Sequence, residues 1–283
     1  MAAVRLIAVD IDGTLVDSLS RVTPANRAAI QKAQELGTSV VLVTGRRFRT
    51  SAPVARDLGL DLPIIAHNGA LIRHGITALV EYHRPLPSEA ARAAASIALA
   101  CGVHPVAHYA LCGEGRALVQ RSPGGRDPWL SDWVARNVDV VDEVADLRAA
   151  LAQEPTALTI PARPSEGAWL QVLLEREIGA CAAVFQATYP DMGLTFLDVV
   201  HPECSKASAL QLVASRLGIN SGEIMAVGDN YNDLPLLASV GTPVVMGNAP
   251  DDLKRLGFHV TLSNDEDGLA AAIEAFVFRS GPS

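Results

Sequence analysis

The chain has 283 residues, of which 49% are hydrophobic and 19% charged, and a net charge of -8. That length supports a substantial core and about two domains, and without low-complexity tracts or an internal repeat the chain is neither disordered nor a solenoid. The acidic balance disfavours a nucleic-acid surface; no apolar run approaches the roughly 18 residues that span a bilayer, and Asp10 arrives too early for a signal peptide, so the expected location is cytoplasmic.

From the N-terminus, short apolar runs alternate with helical patterns, the order expected of βαβ units and a parallel sheet. "VRLIAVDI" reads as a strand buried on both faces. In "TPANRAAIQKAQELG", Thr23 is the expected N-cap, Pro24 the first helical residue and Gly37 the stop. "SVVLVTGR" is a second strand ending in a glycine turn, "TSAPVARDLGL" is helical, and "LPIIAHNGA" is a third strand. Near residue 72 the pattern changes: "ALIRHGITALVEYHRPLP" reads as a hairpin turning at His74-Gly75 and entering a linker marked by Pro85 and Pro87. The next hundred or so residues mix helices ("SEAARAAASIALA", "SEGAWLQVLLEREIG"), a hairpin ("HPVAHYALCGEGRALVQ") and strands ("TALTI", "AAVFQAT", "GLTFLDVV"). The first pattern then returns, with helical "SKASALQLVASRLGI", strands "EIMAVGD" and "PVVMG", and a closing helix "DEDGLAAAIEAF". The expected fold class is α/β: a doubly wound, mostly parallel Rossmann-like core sheet built from residues 1–82 and 200–283, with an inserted α+β domain over 83–199.

Ligands in open α/β sheets bind beyond the carboxyl ends of the strands, and four polar signals fall there. They are "DIDGT" with Asp10 and Asp12, "TGR" with Thr44, Gly45 and Arg46, "SK" with Lys206, and "GDNYND" with Asp229, Asn232 and Asp233. Taken alone, a DxD after a strand is as often a solvated acidic turn. Carboxylates from two separate strands are different, because their burial together is costly without a cation. Magnesium suits them: it takes a few hard oxygens, keeps waters and shares its other positions with phosphate. A calcium EF-hand does not fit, since its ligands alternate along one loop. A threonine hydroxyl and free N–H groups at the "TGR" turn then form a phosphate cradle. Lysine is used only three times, at 32, 206 and 254, so Lys206 at the start of a core helix stands out as a compact charge for a phosphate oxygen.

The four motifs, in this order, resemble those of the haloacid dehalogenase (HAD) superfamily of phosphohydrolases, and "HNGA" with the placement of the insert resembles its Cof-like subgroup with a type IIB cap. The resemblance implies that Asp10 is the nucleophile that becomes an aspartyl-phosphate and Asp12 the general acid and base. It implies a magnesium ion held by Asp10, the backbone carbonyl of Asp12 and Asp229, and phosphate binding by Thr44, Gly45, Arg46 and Lys206. Asn68, Gly69, Asn232 and Asp233 are expected to line the site or support its ligands. Ala207 and Leu236 stand where the family often has glycine and methionine.

The resulting expectation is a magnesium-dependent phosphatase for small phosphate monoesters, such as a sugar phosphate or a phosphorylated cofactor. A phosphomutase of the same superfamily and a catalytically silent phosphate-binding protein are the alternatives. A receiver-type signalling module also groups acids, a threonine and a lysine, but it is about half this length and lacks the insert. The expected partner is a small phosphorylated metabolite, with neither nucleic acid nor membrane, and the expected state a monomer or small homo-oligomer. The cysteines, Cys101, Cys112, Cys181 and Cys204, form no C-x-x-C pair and are expected to be reduced and mostly buried. Trp129 and Trp133, spaced i, i+4, are expected to pack in the core of the insert. His67, His83, His104, His108 and His201 are expected to be surface or linker residues.

Overall fold

The computed structural model describes residues 3–112, 115–122, 125, 127–189 and 192–278. Among these, the strands run in chain order as β1 (Leu6–Val9), β2 (Ser39–Leu42), β3 (Pro63–Ala66), β4 (Leu71–His74), β5 (Val80–His83), β6 (Val106–Tyr109), β7 (Arg116–Gln120), β8 (Val141–Val144), β9 (Ala157–Ala162), β10 (Ala183–Tyr189), β11 (Leu194–Val200), β12 (Ile224–Gly228), β13 (Thr242–Val245) and β14 (His259–Val260). The chain divides into two compact units, one of Met1–Arg46, Thr50–Glu81 and Ser205–Ser283, the other of Arg47–Arg49 and Tyr82–Cys204.

The first unit is built on a parallel sheet ordered β14-β13-β12-β1-β2. A parallel bridge from Val43 to Ile65 continues it toward β3, which turns back into the hairpin strands β4 and β5. Leu6, Ile7, Ala8 and Val9 are fully buried because β1 has a strand on each edge and apolar cover on each face. Each such Leu or Ile contributes roughly 1.5–3 kcal/mol of burial. The order reverses at β1: the chain winds outward through β2 in one direction and, after the insertion, through β12, β13 and β14 in the other. The crevice of this doubly wound sheet therefore opens between the carboxyl ends of β1 and β12.

The Pro24–Glu35 helix starts as its sequence reads, with the Thr23 hydroxyl accepting from Asn26 N–H at 3.2 Å and Gly37 at φ +85 ending it. Helix Lys206–Arg216 is capped by Ser205, whose Oγ accepts from Ser208 N–H at 3.0 Å.

The second unit holds a sheet ordered β10-β11-β9-β6-β7-β8, antiparallel except for the β7–β8 pair. Its Leu158, Ile160, Leu197 and Val199 pack on helices Ser88–Ala100 and Pro164–Ile178. Ala91, Ala94, Ala95 and Ala98 let the first of these helices lie close to its neighbours. On the opposite face, Val106, Ala117 and Val119 are covered by Leu130, Trp129 and Trp133 of the Pro128–Arg136 helix. The two tryptophans stack at 6.3 Å between ring centroids and, each half-buried, pack against this small core rather than inside it.

Several expectations need correction. The sequence pattern does not mark strand β8, because "VDEV" alternates weakly at an exposed edge, nor the two-residue, exposed β14. The turn of the hairpin between β6 and β7 crosses Gly113 and Glu114, which lie outside the described residues. All four cysteines are free, but Cys101 and Cys181 are exposed and only Cys204 is buried. His67 and His108 are buried, not superficial.

Candidate active site

Register places the first two carboxylates. Val9 pairs with Val227 on one side and Leu42 on the other, and Asp10 N–H continues the ladder to Val227 O at 3.1 Å. Asp10 thus leaves β1 beside the Gly228-Asp229 end of β12 and the Val43-Thr44 end of β2. After it the backbone makes a tight turn, with Asp12 at φ -76, ψ 127 and Gly13 at φ 71, ψ 4, the angles of a type II turn that asks for glycine at its third position. The glycine is also required sterically, since a Cβ on Gly13 falls 2.2 Å from Asp229 Oδ2.

Lys206 ties the third motif to the first and fourth. Its side chain is 1% exposed, and Nζ donates to Asp10 Oδ1 at 2.8 Å and to Asp233 Oδ1 at 2.6 Å. Burial alone pushes the ammonium down, but the Asp10 and Asp233 carboxylates outweigh it and hold Lys206 above its ordinary value. The other Asp233 oxygen accepts from Asp229 N–H and Asn230 N–H, each at 3.1 Å. Asp233 is therefore the clasp of the "GDNYND" loop and the anchor of Lys206.

One carboxylate oxygen from each of Asp10, Asp229 and Asp233 lies within 4.8 Å of the others. Burial raises the Asp10 carboxyl to about 7, with Lys206 pulling it down and Asp233 and Asp12 pushing it up. Asp229 is raised as well, by burial first and then by Asp10 and Asp233. Three buried carboxylates facing a single ammonium are short of positive charge, and the shortage is of a kind a hard dication with oxygen ligands relieves. The donor set therefore fits magnesium. The Asp12 side chain is not in this group: Arg46 Nε donates to its Oδ2 at 2.7 Å and Arg46 Nη2 to its Oδ1.

At the second motif, Thr44 is buried, with its Oγ1 accepting from Arg46 N–H at 3.1 Å. Gly45 and Arg46 are half-buried beside it. The "HNG" turn follows β3 with three consecutive left-handed residues, His67 at φ 50, Asn68 at φ 51 and Gly69 at φ 97. It packs on the start of the lysine-bearing helix, where a Cβ on Gly69 falls 2.2 Å from Ser205 O. Asn68 Oδ1 accepts from Asn232 Nδ2 at 3.1 Å, joining this turn to the fourth motif. The residues picked from the four motifs and the "HNG" turn thus converge within the first unit.

Sequence reasoning missed Asn248. Its Nδ2 donates to Gly13 O at 2.9 Å and reaches Asp229 Oδ2 at 3.4 Å, while its Oδ1 accepts from Asn264 N–H at 3.0 Å. The available signal was its place in a "GNA" turn directly after β13, at the same sheet edge as the four motifs. Thr14, inside "DIDGT" but given no role, places Oγ1 3.4 Å from Asp229 Oδ1.

A family model for haloacid dehalogenase-like hydrolases matches residues 7–273. The stress response protein YhaX of Bacillus subtilis (strain 168) is 30% identical, with 96% of this chain and 93% of that protein aligned. The 5-amino-6-(5-phospho-D-ribitylamino)uracil phosphatase YitU of the same organism is 27% identical over 96% of this chain and 97% of its own. The solved structure of the HAD subclass IIB sugar phosphatase BT4131 superposes with a TM-score of 0.80 at 24% identity, covering 96% of this chain and 98% of that one. The chain belongs to the haloacid dehalogenase-like hydrolases. Its fold is that of the HAD subclass IIB structure on which it superposes.

Proposed function

We propose that this protein hydrolyses small phosphate monoesters in a magnesium-dependent reaction through a phosphoryl group carried on Asp10. The observation that carries the reading is the convergence of three buried carboxylates and a buried lysine at the crevice of the sheet. Asp10, Asp229 and the backbone carbonyl of Asp12 are the proposed magnesium ligands. A magnesium ion held by these groups would offset the repulsion between Asp10 and a phosphate dianion.

The chain's own groups do the rest. Asp10 keeps Oδ1 on Lys206 and offers Oδ2 for attack on phosphorus, which splits hydrolysis into two easier displacements. Lys206 spends two of its three protons on Asp10 and Asp233; the third is proposed to face a phosphoryl oxygen. Thr44, the Gly45 backbone and Arg46 complete the cradle, and such positioning supplies most of the acceleration for a loose, charge-spread transition state. Asp12 is assigned to protonate the leaving oxygen and then to take a proton from the attacking water. Asn68 and Gly69 hold the lysine-bearing helix, and Asn232 links that turn to the fourth motif. The inserted domain, over 83–199, is assigned the choice of leaving group.

The substrate is a small phosphorylated metabolite, a sugar phosphate or a phosphorylated cofactor or its precursor, in keeping with the names of the relatives. The test is phosphate release from a panel of such esters, with magnesium or EDTA, by the wild type and by Asp10→Asn. Release that needs magnesium and falls at least about a thousandfold in the variant is expected for loss of the nucleophile. Undiminished release in EDTA or by Asp10→Asn contradicts the assignment.

A further inference from the structure

Arg46 makes a contact that simple phosphate binding does not explain. Its guanidinium grips Asp12 with two parallel bonds, Nε to Oδ2 at 2.7 Å and Nη2 to Oδ1. The side chains of Arg46 and Asp12 are only 23% and 26% exposed, so water competes weakly for the pair. A two-pronged bond fixes the plane of a carboxylate as well as its position, and here it turns both Asp12 oxygens toward the arginine. That is a holding position for a group assigned to meet a leaving oxygen. Arg46 also stands two residues beyond Thr44, at the mouth of the proposed phosphate cradle. The fork that fits a carboxylate fits a phosphate equally well.

We propose that Arg46 is a positioning residue that parks Asp12 until a phosphoryl group arrives. The entering phosphate dianion takes the guanidinium over, and Asp12 swings free toward the leaving oxygen. No covalent bond forms or breaks in this exchange; one anionic partner of Arg46 replaces another. Asp12 is thereby presented only when there is an ester to act on. The inference rests on the phosphatase reading above and adds to it the device that couples phosphate binding to the placement of Asp12.

The test is a double-mutant cycle on binding of inorganic phosphate, measured by calorimetry with magnesium present, for the wild type, Arg46→Ala, Asp12→Asn and the pair together. If Asp12 and phosphate share one guanidinium, Asp12→Asn frees it and phosphate binds about tenfold tighter, in the range of coupling between residues of one network. That gain vanishes once Arg46 is alanine. An equal gain in both backgrounds means that Asp12 acts only by repelling phosphate, and overturns the latch. Arg46→Lys keeps the charge without the fork and serves if the alanine variant does not fold; it is expected to reduce the coupling, and full coupling with lysine counts against a two-pronged latch. Wild-type turnover of the ester panel is run beside the cycle. Additive binding with turnover intact overturns the latch alone, whereas no turnover of any ester overturns the phosphatase reading itself.

Discussion

Asp10 is a carboxylate placed where water reaches its charge poorly, and this sets how stability depends on pH. Its carboxyl is raised to about 7 and that of Asp229 is raised too, whereas an unfolded aspartate titrates near about 3.9. The folded protein therefore binds these protons more tightly than the unfolded chain. The stability they contribute is full below the unfolded value and is lost as pH rises through about 7. In EDTA, the unfolding midpoint is expected to fall between about pH 5 and pH 8, less so in Asp10→Asn, and magnesium at the upper pH is expected to restore it. Identical pH dependence of the two proteins in EDTA contradicts this. At this scale the sequence was most legible where residue type and place were both unusual. Lys206 was marked by the rarity of lysine, and it is 1% exposed between two carboxylates. Asn248 was not legible, because an asparagine after a strand is an ordinary turn residue, and only the fold brings it to the carbonyl of Gly13. His67 and His108 carried no pattern to separate a buried histidine from an exposed one.

Among the elements, the short turn after β3 packs against the start of the helix that carries the lysine. The left-handed backbone of Gly69 leaves no room for a methyl group, which would meet the Ser205 carbonyl at 2.2 Å at the cap of the Lys206–Arg216 helix. Gly37 has a similar φ, +85, but nothing within 4 Å of its missing Cβ. Gly37→Ala is expected to cost about 1 kcal/mol through backbone strain alone and to leave phosphate release unchanged. Gly69→Ala is expected to cost more and to lower release sharply, because the helix start must move away and take Lys206 with it. Urea unfolding and turnover of both variants check this; equal losses of stability with activity kept in both contradict it. Elements with buried periodic faces or clear caps, such as β1 and the Pro24–Glu35 helix, could be read directly. The exposed edge strands β8 and β14 could not, since little of their burial imprints a pattern on the sequence.

Across the whole molecule, the site is assembled from both ends of the chain. Asp10 leaves β1 near the N-terminus, and Asp229 and Lys206 arrive after the insertion, brought together because β12 pairs with β1 in register. That is why four separate motifs could be read as one site: their common place is the carboxyl edge of one sheet. The leaving group was not legible in the same way, because chemistry at phosphorus needs fixed residue types, whereas many combinations of side chains can recognise what lies beyond it. The most direct test of the account is an acid quench of Asp12→Asn during turnover of a phosphate ester, followed by peptide mapping by mass spectrometry. With an ester whose leaving oxygen needs no proton, the nucleophile intact and the base for the second displacement removed, a phosphoryl group is expected on the peptide carrying Asp10. Phosphate release with no adduct on Asp10, or an adduct on another residue, contradicts it.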